Sequence, residues 1–446
     1  MTSPRSPGIA GVVRSPLSYL LVPAAVILIA AALTPAKEFT RNQGDVGLYL
    51  GDARAIVAGG VPYRDVALEY PPLAIVPMVV PYLAGLPFGG VTLERYAWLF
   101  AGWEALLVAL LGIVLVAIAR LSGVAAGSRD PGWSVAWRLP ILAAGAALAI
   151  AWRFDLFAAL LLAGAVWATL ANRPTAAGVL LGLGVLTKLF PIVAMPALAV
   201  AWLAPRDDRR LVRFGLATVL TIALGELPFL AIAGVDALSF LGYQAQRGLE
   251  IESVGAGVVL LDGLVRGQPV ETASPFKAVE VFGPLARTWL GLLPVMTLAG
   301  FGALGVAGWR RVRSELRAVG RVEPETVTTL AGGAVLVLLL TSKVFSIQYV
   351  VWLVPFAALL RGWAFWLAAG AVALTIPIHP FLFGDLVAQE ALPILVLNLR
   401  NALLIVLTGI VISDLGRPIL RTLLAAKAGG TRRSGTLGDA DGARAR

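Results

Sequence analysis

The sequence predicts an all-α polytopic integral membrane protein with about twelve transmembrane helices. Three observations carry that expectation. Mean hydropathy is +0.85, and 59% of the 446 residues are apolar against 14% charged, where a soluble domain carries about a quarter charged residues. Apolar runs long enough to cross a bilayer, or nearly so, recur along the whole chain. Lysine and arginine gather on one of the two sides those runs define, the asymmetry expected of membrane loops.

In chain order the expected spans lie near 17–35, 93–119, 138–152, 156–171, 174–188, 189–204, 214–233, 284–309, 327–343, 348–361, 362–378 and 391–414. The first follows Arg5 and Arg14 as a signal peptide would, but it ends Leu33-Thr34-Pro35-Ala36-Lys37 without a small-residue cleavage site, so it reads as an anchor. The run 71–88 contains Pro71, Pro72, Pro77, Pro81 and Pro87. Counting it as a span would put Arg120, Arg129 and Arg138 outside, so the expectation is an interfacial or re-entrant helix. A proline-kinked span is the alternative.

With the N-terminus inside, the inner side holds 23 Lys/Arg and 9 Asp/Glu, and the outer side 13 and 17. Both termini are then expected in the cytoplasm and the outer loops on the external face of the cell membrane. This divides the chain into a tail 1–16, a membrane domain 17–414 and a tail 415–446, expected to be disordered from about 425. The membrane domain carries external loops at 36–92 and 234–283. A net charge of +10 with this placement suits a bilayer and argues against nucleic acid as partner. Zero cysteines exclude disulfides, thiolate metal sites and a cysteine nucleophile, and a single histidine, His379, excludes a multi-histidine metal centre.

The polar residues that lipid excludes are not scattered. All fall at the expected outer face: Asp45 and Tyr49, then Tyr63, Asp65, Glu69 and Tyr70 in the first loop, then Arg153-Phe154-Asp155 and Thr187-Lys188. The long loop contributes Arg247, Glu250 and Glu252, and later come Lys343, Gln348, Tyr349 and Asn398-Leu399-Arg400-Asn401. Ionisable groups at membrane depth are a functional hypothesis by default.

In this order, Asp-x-x-x-Tyr, Gly-x-Pro-Tyr-x-Asp, Glu-Tyr-Pro-Pro, Arg-Phe-Asp, Thr-Lys-x-x-Pro, Glu-Ser and Gln-Tyr-x-x-Trp-x-x-Pro resemble glycosyltransferase family 87, over roughly residues 15–415. That family belongs to the C-type superfamily of membrane glycosyltransferases and includes mannosyltransferases that use polyprenyl-phosphate-mannose. The resemblance implies a C-type fold and transfer of a sugar, mannose in the best-known relatives, from a polyprenyl-phosphate donor to a glycolipid or glycan hydroxyl. It also puts the catalytic aspartate in the first loop, here Asp45. Where some members carry a histidine in the late motif, this chain has Gln348, so the resemblance brings no histidine-assisted step.

Such a reaction needs a base for the acceptor hydroxyl and cations for the departing phosphate. Asp45 is the expected base; capping the following helix is its plain structural alternative. Lys188, Lys343 and Arg153 are the candidates for the donor phosphate, although lysines at helix ends also snorkel to headgroups. Tyr63, Asp65, Glu69, Tyr70, Asp155, Glu252, Gln348 and Tyr349 are candidates for binding sugar or acceptor, with loop pairing and an interfacial aromatic belt as alternatives. His379 is expected to be a surface residue. No cofactor is called for; a divalent metal through Asp45 is conceivable, without supporting ligand spacing. No Walker, zinc-protease, dinucleotide or serine-elbow motif occurs in a supporting context. The competing class is a transporter or flippase of a lipid-linked sugar, which would show repeated halves and a through-path.

Overall fold

A computed structural model of the chain describes residues 18–34, 45–122, 131–276 and 278–417. The expected cytoplasmic tails at 1–16 and beyond Arg417 lie outside the described residues.

The architecture is helical. In chain order, α1 is Ser18–Leu33, α2 Asp45–Val57, α3 Ile75–Gly85, α4 Leu93–Leu121, α5 Pro131–Gly145, α6 Ala147–Trp152, α7 Asp155–Leu170, α8 Pro174–Thr187 and α9 Met195–Leu203. Then follow α10 Asp208–Ala233, α11 Ser239–Gln246, α12 Val254–Arg266, α13 Pro284–Val319, α14 Pro324–Thr341, α15 Val354–Ala357, α16 Gly362–Ile376, α17 Phe383–Val387 and α18 Ala391–Gly416. Among the described residues, six helical runs are long and apolar enough to cross a membrane: Leu93–Leu121, Asp208–Gln246, Pro284–Val319, Pro324–Thr341, Gly362–Phe381 and Ala391–Gly416. Shorter apolar helices cover the other expected runs, so each of the twelve coincides with helix. The chain is therefore polytopic and all-α in character. Among the described residues there is one small sheet, in the order β1-β3-β2, which is antiparallel and pairs Leu249–Glu250 (β1) and Thr272–Ala273 (β2) with Glu280–Val281 (β3).

The long helices separate into two kinds. α14 is enclosed by other helices and α4 is about half buried, whereas α10 and α13 present bare apolar faces, with Leu220, Leu224, Val295 and Leu298 more than half exposed. In water such faces would be unstable; against lipid they are neutral. Small residues set the closest approaches. A Cβ on Gly178 would meet Phe214 O of α10 at 2.4 Å, and one on Gly308 would meet Leu330 of α14 at 2.4 Å, the close packing that membrane helix pairs favour.

The proline-rich run forms a 3-10 turn at Pro72–Ala74, then α3, then a second 3-10 turn at Leu86–Phe88. It packs along α4, where the Tyr96 hydroxyl donates to Met78 O at 2.9 Å. Two breaks in apolar helix matter most for the site. α6 stops at Trp152 with Arg153 extended (φ −139°, ψ 140°), and α8 stops at Thr187 with Lys188 extended (φ −158°, ψ 143°). Each break turns a charged side chain out of a helix that would otherwise have carried it into lipid.

A candidate active site at one end of the helices

The tripeptide Arg153-Phe154-Asp155 is the hub. Because Arg153 is extended and α7 begins at Asp155, three successive side chains leave in three directions. Arg153 Nε lies 2.9 Å from Asp45 Oδ2. Phe154 packs between the rings of Tyr49, at 5.3 Å, and Tyr70, at 4.8 Å. Asp155 accepts from Lys188 Nζ at 2.7 Å on both oxygens, and from Trp352 Nε1 at 2.6 Å.

The two ion pairs differ in access. The side chains of Asp155 and Lys188 are 1% and 10% exposed, those of Asp45 and Arg153 27% and 11%. Lys188 sits among the rings of Tyr70, Phe154, Tyr349 and Trp352, each 5.2–5.8 Å from its ammonium, a geometry in which cation–π attraction adds to the charge pair. Trp352 is itself sandwiched, with Phe190 at 4.2 Å and Tyr349 at 3.9 Å. Lys188 is thus fully engaged inside the protein, while Asp45, whose second partner is the Tyr49 hydroxyl at 3.3 Å, faces outward.

A second polar layer closes over this one from the long loop. Glu250 Oε2 accepts from Phe345 N at 2.7 Å and Oε1 from Ser346 Oγ at 3.0 Å, tying β1 to the segment after α14. Glu250 N also donates to Lys343 O at 2.9 Å. Glu252, buried two residues on, has Oε2 4.0 Å from His379 Nδ1, and its Oε1 has no hydrogen-bond partner among the described residues. Burial, and then the neighbouring Glu250, hold the Glu252 carboxyl well above the usual glutamate range. Arg400 stacks 4.2 Å from Phe345 and donates to Asn401 Oδ1 and to Glu252 O.

Each expected site residue can now be placed. Asp45, Arg153, Asp155, Lys188, Tyr70 and Tyr349 share one cluster, and Glu252 caps it: its carboxylate and Arg153 are close enough to interact. Glu69 is half-buried beside Tyr70 and Tyr243. Gln348 is half-buried on the 3-10 turn Ile347–Trp352 that carries Tyr349. Tyr63 belongs elsewhere. It takes a left-handed backbone (φ 69°), packs on Phe229 and Phe240, and donates to Tyr70 O at 2.8 Å, so it props Tyr70 from behind. Asp65 is exposed and bonded to Arg64 and Val61 N. Lys343 donates to Ala245 O at 2.8 Å, at the rim.

Three residues escaped the sequence reading of roles. His379 is not a surface group: it is half-buried, faces Glu252 and interacts with Arg153 and Asp45. Arg247 is half-buried, with Nε lacking a partner among the described residues, and acts on Glu250, Tyr349 and Lys343. Glu104 is fully buried on α4, both oxygens likewise without a partner, within electrostatic reach of Asp155. Charge in an otherwise apolar helix was the available signal for Glu104; nothing local distinguishes Arg247 from any loop arginine. Among the described residues no group of three or more His, Cys, Asp or Glu could hold a metal ion.

No family model and no curated protein matches the chain. Among solved structures it is similar to ArnT from Cupriavidus metallidurans bound to undecaprenyl phosphate, with 18% identity over 89% of this chain and 76% of that one, and a TM-score of 0.45. It is also similar to the apo form of the Archaeoglobus fulgidus oligosaccharyltransferase, with 15% identity, 90% of this chain, 56% of that one and a TM-score of 0.41. The chain thus spans little more than half the length of the second.

Proposed function

We propose that this protein is a membrane glycosyltransferase of the C-type kind, moving a sugar from a polyprenyl-phosphate donor to a hydroxyl of a glycolipid or glycan at the outer membrane face. The observation that carries the reading is the accessible Asp45–Arg153 pair, seated over a buried Asp155–Lys188 pair inside an aromatic wall at the end of apolar helices. A lipid-borne substrate reaches such a site laterally, and a carboxylate held by a guanidinium is oriented without being shut away.

In this reading Asp45 takes the acceptor proton. The acceptor oxygen forms its bond to the sugar's anomeric carbon as the bond to phosphate oxygen breaks, leaving polyprenyl phosphate. Positive charge develops on the sugar ring and negative charge on the phosphate, so fixed charges of both signs lower the barrier. Of the three phosphate candidates the sequence offers, Lys188, Arg153 and Lys343, the first two are engaged by Asp155 and Asp45. Both already neutralise a carboxylate, so we assign the phosphate chiefly to Arg247, which acts on Tyr349, and to Lys343 within its reach. Lys188 then holds Asp155, and through it Trp352. Tyr70, Glu69, Glu252, Gln348 and Tyr349 are placed to meet sugar or acceptor, and mannose is the sugar the family resemblance suggests.

The test is incubation of the purified protein, in membranes lacking the native enzyme, with a panel of radiolabelled polyprenyl-phosphate sugars. Transfer of label to a lipid or glycan acceptor, abolished in Asp45→Asn, is the expected result. Label crossing vesicle membranes without transfer would instead make the protein a transporter. Orientation is tested separately by single thiols on this cysteine-free chain. A cysteine at position 52 should label from outside, and labelling only after permeabilisation would overturn the assignment.

A further inference from the structure

The opposite end of the helices carries a cation, unpaired among the described residues, that the transfer reaction does not use. Arg138 lies on α5, seven residues from its start, or about 10 Å along the axis. Its guanidinium packs 5.0 Å from the Trp137 ring and 5.4 Å from the Phe365 ring of α16. Its Nε and Nη1 are buried and find no hydrogen-bond partner among the described residues. Among the described residues a second cation, Arg361 at the N-terminus of α16, acts on it.

Arg361 is only loosely partnered. Its guanidinium is 4.0 Å from Glu325, and both side chains are about half exposed. Glu325 and Asp414 line a cleft with Arg361 on the α14 and α18 side, whereas Arg138 packs on Phe365, one turn along α16 from Arg361. Arg138 on Phe365 and Arg361 one helical turn away place two guanidiniums on one side of α16, a pair that an anion with several acceptor oxygens can bridge. The surroundings say where that anion comes from. Trp137, Phe365 and Trp366 form one ring cluster, with centroids 4.9 Å, 5.0 Å and 6.0 Å apart. Trp366 is 52% exposed and the neighbouring Trp363 82%. Exposed tryptophans beside arginines at a helix end mark the headgroup level of a bilayer.

We propose that Arg138 and Arg361, flanked by Trp137, Trp363 and Trp366, form a binding site for the phosphodiester headgroup of an anionic membrane lipid, on the face opposite the candidate active site. The phosphate oxygens bridge the Arg138 and Arg361 guanidiniums, the tryptophans lie against the glycerol backbone, and the acyl chains run along the apolar outer faces of α5 and α16. The lipid is a structural partner here, not a substrate, so the proposal stands or falls independently of the transfer reaction.

The experiment titrates the detergent-solubilised full-length protein with dihexanoylphosphatidylglycerol, its phosphatidylcholine analogue and inorganic phosphate, counting adducts by native mass spectrometry. Phosphatidylglycerol should bind in preference to the other two. Arg138→Gln and Arg361→Gln should each weaken it by about fivefold, the worth of one interfacial cation, and Arg313→Gln, in another part of the same basic end, should not. Arg361 is exposed, so its variant keeps the test valid if Arg138→Gln fails to fold. Equal binding of phosphatidylcholine or free phosphate, or undiminished binding in Arg361→Gln, would overturn the site.

Discussion

The two ends of α14 are built on different principles. At its start, the close charge pairs join near neighbours in sequence: Arg311 with Glu315 at 2.8 Å, Arg321 with Glu323 at 3.2 Å, and, on nearby helix ends, Arg210 with Asp207 and Arg417 with Asp414, while the one distant pair, Arg361 with Glu325, is loose at 4.0 Å. Even the buried Glu315 is satisfied within a dozen residues, by Arg311, Glu323 N and Thr326 Oγ1. Beyond its other end, partners come from distant parts of the chain. Asp155 joins Lys188 and Trp352, Asp45 joins Arg153, and Glu250 joins Phe345 and Ser346. Local pairs finish helices and meet water. Long-range pairs exist only when the fold is complete, and that is the condition a reacting site needs.

Substitutions at the two ends should therefore behave differently, most of all at Asp45. Asparagine preserves shape and caps as well as aspartate but cannot take a proton. Asp45→Asn should insert and fold normally and lose turnover by a factor of about 100 to 10,000, read in the radiolabel assay. Turnover near that of the parent would move the base elsewhere, with Glu252 and His379 the next candidates.

Next in size is the buried pair. Lys188→Ala leaves Asp155 charged and enclosed, and breaking such a pair costs about 3–5 kcal/mol. Arg210→Ala, which removes a half-exposed local pair, should cost about 0–1 kcal/mol. Thermal melts of both variants in detergent would measure the contrast; similar losses would erase the distinction between the ends.

A smaller effect separates the rim from the hub. Arg247→Ala and Lys343→Ala should each raise KM for the donor by about tenfold with kcat little changed, the loss of one charge-assisted contact. A fall in kcat at constant KM would place them at the transition state instead.

The smallest is a pH dependence. The folded protein raises the Glu252 pKa above its ordinary 4.5, so the native state binds this proton more tightly than the unfolded chain. That stabilisation is complete below pH 4.5 and is lost as pH rises through the folded value. Glu252→Gln should therefore gain stability relative to the parent on going from acid to neutral pH. A difference between the two that does not change with pH would show that Glu252 titrates as an ordinary carboxylate.

Much of the fold was legible because lipid imposes a simple rule. Runs of apolar residues must close their backbone hydrogen bonds within themselves, and helix, in places short or broken, falls in every expected run, six of them long enough to cross a membrane. Arg153-Phe154-Asp155 and Thr187-Lys188 were legible for the same reason, as charges interrupting apolar helix. Their pairing was not. Nothing adjacent to Lys188 says that its partner is Asp155, or that Trp352 will share that carboxylate. Tyr63 and Tyr70 look alike in sequence, yet a left-handed backbone turns Tyr63 into the support of Tyr70. His379 read as loop surface because only the meeting of the long loop with the segment after α16 brings Glu252 to it.

α14 has 18 residues, a rise of about 27 Å, slightly less than the hydrocarbon thickness of a typical bilayer, about 30 Å. Enclosed by other helices, it has little freedom to tilt on its own. The helix therefore acts as a gauge of membrane thickness: one end fixes the basic collar, the other fixes the depth of Lys343, Glu250 and the hub behind them. In a bilayer of longer acyl chains the lipid must thin around the protein or the site must sink below the surface at which the proposed reading puts the acceptor. Sugar transfer should accordingly track acyl-chain length even when the chemistry of the headgroup is held constant.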